Sequence, residues 1–76
     1  MTKMRIDPVA KEDVPALVIA LKDQDWRVRR RAAWSLGYLG PAAREAIPSL
    51  TEALKDKSAA VRNAAQAALK KIKAEK

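Results

Sequence analysis

Two stretches decide the fold: VPALVIALKDQDWRVRRRAAWSLGYLG at residues 14–40 and IPSLTEALKDKSAAVRNAAQAALKKI at residues 47–72. They belong to a 33-residue period that lays residues 8–40 over residues 41–73 without a gap. Pro8 falls on Pro41, Ala10 on Ala43, Glu12 on Glu45, Pro15 on Pro48 and Leu17 on Leu50. Ala20, Leu21, Lys22 and Asp23 fall on Ala53, Leu54, Lys55 and Asp56. Val28, Arg29, Ala32 and Leu36 fall on Val61, Arg62, Ala65 and Leu69, which brings the identities to 13 of 33 positions. Lys11/Arg44, Val14/Ile47 and Leu39/Ile72 are conservative pairs. Self-similarity at this period marks a solenoid, in which each unit buries its apolar face against its neighbour.

Each unit reads as two helices. The first opens where a proline can sit and carries Val14, Leu17 and Leu21, or Ile47, Leu50 and Leu54, at helical spacing. It ends near Asp23 or Asp56. The second starts after Asp25 in one unit and after Ser58 in the other. These share one repeat position, and both side chains can accept from the free N–H groups of a helix start. The expected inward face is Val28, Ala32, Leu36 and Leu39, matched by Val61, Ala65, Leu69 and Ile72. Gly40 and Pro41 end the first unit and open the second, since Gly tolerates a left-handed cap and Pro has no N–H to lose. Pro8–Asp13 and Pro41–Ala46 read as short helical lead-ins, bent near Pro15 and Pro48. No strand pattern is present.

The pattern x-P-x-L-x-x-A-L-K-D, a loop, then V-R-x-x-A-x-x-x-L resembles the HEAT-like repeats of phycobilisome-lyase-related proteins. In unit one a Gly follows that last Leu. The resemblance covers nearly everything after Asp7. It implies an all-α fold, an α-solenoid of two helical hairpins with about four main helices. Residues 1–7 are then an N-terminal extension, residues 8–40 the first repeat, and residues 41–76 the second repeat with a C-terminal cap. Lys70, Lys71 and Lys73 replace Gly37, Tyr38 and Gly40 there, giving the polar ending that an open array requires. The resemblance also implies that Asp23, Arg29, Asp56 and Arg62 form an Asp–Arg ladder tying each inter-helix turn to the next. Repeats of this type serve mostly as binding scaffolds, and no bilin-attachment activity carries over.

Composition removes most enzymes. The chain has 76 residues, with no Cys and no His. Disulfides, thiolate metal sites and Cys–His or Ser–His mechanisms cannot be built. Gly37 and Gly40 lack the spacing and the Lys of a phosphate-binding loop. Asp23, Asp25 and Tyr38 could serve acid–base chemistry, but two short repeats hardly supply a shielded site. The expectation is a non-catalytic protein without cofactor or metal. Apolar residues make up 49% of the chain, yet 16 of them are Ala, so the bulky core is thin. The net charge of +7 favours acidic partners. The apolar run Val14–Leu21 is too short for a membrane span, and residues 1–7 lack a signal-peptide pattern. A soluble, cytoplasmic chain is expected. Repeats this regular also fit a designed or excised module, for which assembly itself would be the function.

The informative positions are those where the units differ. Trp26, Arg30, Trp34 and Tyr38 recur every fourth residue along one side of the second helix, flanked by Arg27 and Arg31. Their counterparts are Ala59, Asn63, Ala67 and Lys71, beside Ala60 and Ala64. The resemblance implies that second helices line the partner-facing surface, and Trp, Tyr and Arg dominate interface hot spots. One reading is therefore a partner-binding stripe. The other is intrachain packing, with a Trp covering Ala60, Ala64 or Ala67. For a stripe, three partners compete: another copy of the chain, an acidic protein, or nucleic acid gripped at its phosphates. Self-association has further support in Val18 and Ile19, which are Thr51 and Glu52 in unit two; the competing reading is that Met4, Ile6 and Val9 cover that end locally.

Overall fold

The computed structural model describes residues 13–74, and every regular element among them is helical. Four α-helices occur: α1 (Val14–Ala20), α2 (Trp26–Leu39), α3 (Ile47–Ala53) and α4 (Ala59–Lys73). A 3-10 segment, Gly40–Ala46, joins α2 to α3. The bounds follow the sequence period: α1 and α3, and the starts of α2 and α4, occupy identical repeat positions.

The local chemistry explains those bounds. Pro15 and Pro48 sit in the first turns of α1 and α3, where a missing N–H costs no hydrogen bond. Asp25 caps α2 by accepting from the Arg27 N–H, and Ser58 caps α4 by accepting from Val61. Gly40 ends α2 at φ 63°, ψ −141°, the one positive φ among the described residues and a conformation only glycine adopts without strain. Pro41 then opens the 3-10 lead-in, which kinks at Ala43 before running into α3. The matching lead-in at Pro8–Asp13 lies outside the described residues, apart from Asp13.

The two hairpins stack so that α2 and α4 form the main seam between repeats. Eight of the 15 buried hydrophobics are alanine, so the helices approach closely rather than interdigitating long side chains. Leu36, Leu50, Val61 and Ile72 are the large fully buried residues. A Cβ placed on Gly37 would lie 2.9 Å from the Cα of Ala68, which makes this seam a backbone-to-backbone approach that glycine alone permits.

The inward face of α4 is the expected one, with Val61, Ala65, Leu69 and Ile72 all buried. The face of α2 is rotated from expectation. Ala32 and Leu36 are buried, but so are Arg29, Ala33 and Gly37, whereas Val28 is 37% exposed and Leu39 is partly so. The physical reason is position in the stack. A repeat precedes Val61 and shelters it; none precedes Val28 among the described residues. Meanwhile α4 draws the Arg29–Ala33–Gly37 edge inward.

Candidate functional site

Two constellations arise from α2, one on each flank of its buried edge. The first is built on the inter-helix turns. Asp23 Oδ1 accepts from the Asp25 N–H at 2.9 Å, and Asp56 Oδ1 accepts from the Ser58 N–H at 2.9 Å. Each arginine six residues on returns to its own turn. Arg29 Nη1 donates to the Asp23 carbonyl at 2.7 Å, and Arg62 Nη1 to the Asp56 carbonyl at 2.7 Å. Arg29 also crosses between repeats, with Nε and Nη2 donating to the two Asp56 oxygens at 2.8 and 3.0 Å. This paired fork is buried, with side-chain exposures of 9% and 11%. The Arg29 hydrogen bonds hold the Asp56 carboxyl below its ordinary range against the opposing effect of burial. Asp56 in turn pushes Arg29 further up. Thus Asp56, Arg29 and the Asp23 carbonyl meet in one rung. The Asp23 carboxylate and Arg62 stand outside it, at the two ends of the stack.

The second constellation is the aromatic stripe. Trp26, Trp34 and Tyr38 are 41%, 54% and 77% exposed, and Arg30 is half-buried between the indoles. Its Cζ lies 5.1 Å from the Trp26 ring centroid and 4.5 Å from that of Trp34. Cation–π attraction to both rings restrains the guanidinium. Arg30 Nε is buried in the stack without a partner. Arg27 turns back to Asp25, with Nη2 at 3.2 Å from Oδ2, which lowers the Asp25 pKa and raises its own. Arg31 is exposed on the same helix. On α4, Ala64 is buried while Ala67 remains exposed. Lys71 lies alongside, its Cδ 3.7 Å from where a Gly37 Cβ would stand.

Sequence reasoning missed two things here. One is the role of Gly37 in the seam; an isolated Gly inside a helical pattern was the available signal. The other is Lys71 as a neighbour of the stripe, which spacing on a single helix cannot reveal. Among the described residues no cluster of three or more acidic side chains is placed to hold a metal ion. No helix among them is long and apolar enough to cross a membrane.

Paired antiparallel helices, stacked with matching caps and a shared rung, define an all-α helical-repeat protein. A family model described as HEAT repeats matches residues 14–76, and the chain belongs to that family. Comparison with curated proteins gives no match, and comparison with solved structures gives none. HEAT repeats generally act as protein-interaction scaffolds, so the fold and the family point the same way.

Proposed function

We propose that this chain is a non-catalytic interaction scaffold whose contact surface is the second-helix side of the first repeat. Trp26, Arg30, Trp34 and Tyr38 are its anchors, with Arg27 and Arg31 at the rim. The observation that carries this reading is the exposure of three large aromatics on one helix flank. Contiguous exposed apolar patches rimmed by polar residues mark interaction sites. The Asp–Arg rung has a structural role: its polar groups satisfy one another and tie the repeats together.

The test is a displayed peptide library selected on the folded wild type and counter-selected on Trp34→Ala. Trp34 is more than half exposed, so its removal is expected to leave helicity unchanged by circular dichroism. Binders that lose most of their affinity on the Trp34→Ala chain support the stripe. Binders retained equally by both chains place the contact surface elsewhere. Light scattering on the wild type, with and without the substitution, separates a foreign partner from a second copy.

A further inference from the structure

The partner's chemistry is legible in how Arg30 is held. An ordinary surface arginine samples many rotamers and loses side-chain entropy when a ligand fixes it. Arg30 is restrained by two rings at once, its Cζ 5.1 Å from the Trp26 centroid and 4.5 Å from that of Trp34. Its Nε–H is sealed inside the stack. The side-on approach that Arg29 offers to Asp56 through Nε and Nη2 is therefore closed on Arg30. What remains is the outer edge, where the two Nη groups make no hydrogen bond among the described residues. Two parallel N–H donors at fixed spacing match a carboxylate approached end-on.

The surroundings are of one sign. α2 and α4 together carry Arg27, Arg29, Arg30, Arg31, Arg62, Lys70, Lys71 and Lys73, and neither helix contains Asp or Glu. All nine acidic residues lie outside these two helices. Of the cations, Arg29 is consumed by Asp56, and Arg27 by Asp25. Arg31 and Lys71 are exposed and have no ion-pair partner among the described residues. Trp34 and Tyr38 leave exposed ring area beside the Arg30 edge for an apolar side chain.

We infer that this surface takes an acidic peptide segment: one carboxylate seated end-on against Arg30, further carboxylates on Arg31 and Lys71, and an apolar side chain against Trp34 and Tyr38. This rests on the proposed scaffold reading and names the partner's chemistry. A single-stranded nucleic acid fits less well. Its bases need free aromatic faces, and Arg30 takes up part of the ring surface of each indole, which leaves Tyr38 as the one ring of the stripe it does not stack on.

Trp26 and Trp34 are the only tryptophans, so intrinsic emission reports on this site alone. The probes are a short peptide with glutamates around a central leucine, its glutamine counterpart, and an oligothymidylate of equal formal charge. The glutamate peptide is expected to bind, and the glutamine peptide to bind at least about tenfold more weakly. Arg30→Lys keeps the charge but loses the fork and is expected to weaken the glutamate peptide by a similar factor. Binding weakened by Trp34→Ala but indifferent to both Arg30→Lys and the glutamine replacement overturns the carboxylate assignment and leaves the scaffold surface standing. Oligothymidylate binding as tight as the glutamate peptide overturns the assignment in favour of phosphate. Binding of the glutamate peptide that neither Arg30→Lys nor Trp34→Ala alters defeats both readings, as does an absence of binding by every probe.

Discussion

At the residue scale, Gly37 and Asp56 set the joint between repeats. A methyl group on Gly37 would meet the Cα of Ala68 at 2.9 Å and its Cβ at 3.1 Å, and a backbone atom cannot rotate away. Forcing such a contact costs about 1–3 kcal/mol, while the gain in helix propensity returns about 1 kcal/mol. Gly37→Ala is therefore expected to lower stability by roughly 1 kcal/mol net, seen as a thermal midpoint lower by roughly 4–8 °C. A raised midpoint would show that the seam has slack. Asp56 acts through charge. Its pKa is depressed in the folded chain from the ordinary aspartate value of 3.8, chiefly by hydrogen bonds from Arg29. Folding therefore favours the ionised form, and the stabilisation is fully present above the unfolded value. It is lost as pH falls below 3.8 and through the depressed folded value. Asp56→Asn leaves Arg29 without its countercharge, and its thermal midpoint at neutral pH should drop on the order of 10 °C. Its urea midpoint should also be flatter than wild type across the acid range. Equal acid sensitivity in the two chains would mean that the rung contributes nothing to the pH dependence.

At the element scale, the period made the helices legible and burial made the difference between them. Identical residues at identical register gave α1 and α3 the same bounds, and Asp25 and Ser58 gave α2 and α4 the same starting position. The inward face of α2 was not legible, because periodicity says which residues share a face but not which neighbour covers it. Val28 and Val61 are the same residue at the same repeat position, yet one is 37% exposed and the other fully buried. The stripe has the same lesson. Four-residue spacing put Trp26, Arg30, Trp34 and Tyr38 on one side, but their exposure and the double stacking of Arg30 depend on how α4 sits. The cross-repeat rung was legible through the family resemblance but not from spacing: six residues separate Arg29 from its own turn, and the second repeat brings Asp56 to it. The valine pair yields a direct comparison. Val61→Ala removes buried methyls and should cost about 2 kcal/mol. Val28→Ala should cost roughly 0.5 kcal/mol or less, because the lost contact is small and Ala is the better helix former. Denaturant unfolding of the two variants reads the difference, and equal losses would mean that Val28 is sheltered in solution.

At the scale of the whole molecule, the two ends of the stack carry matching halves of a rung. Among the described residues the Asp23 carboxylate accepts only from the Asp25 N–H, and the sole bond of the Arg62 guanidinium runs to its own turn at Asp56. Stacking a second copy end to end would bring these halves together as Arg29 and Asp56 meet now. The helix seam opposes it. Within the chain the seam pairs the buried small residues Ala33 and Gly37 of α2 with Ala64 and Ala68 of α4. One period on, the outward positions are Gln66 and Lys70, and the receiving positions of the next copy are Arg31 and Ser35. Gln66, Lys70 and Arg31 then bring long side chains to a seam that only glycine and alanine fit, with Lys70 set against Ser35 where Gly37 now packs on Ala68. We expect these positions to keep the wild-type chain from stacking on itself despite the exposed Leu54 at that end. Combining Gln66→Ala, Lys70→Gly and Arg31→Ala should open the seam and give mass that grows with concentration in light scattering. Adding Asp23→Ala to that chain should reverse the growth, because the completed rung would again be broken. Wild-type association that survives Trp34→Ala but disappears with Asp23→Ala would show the ends already stacking, and the long side chains would then have to be accommodated at the seam rather than block it.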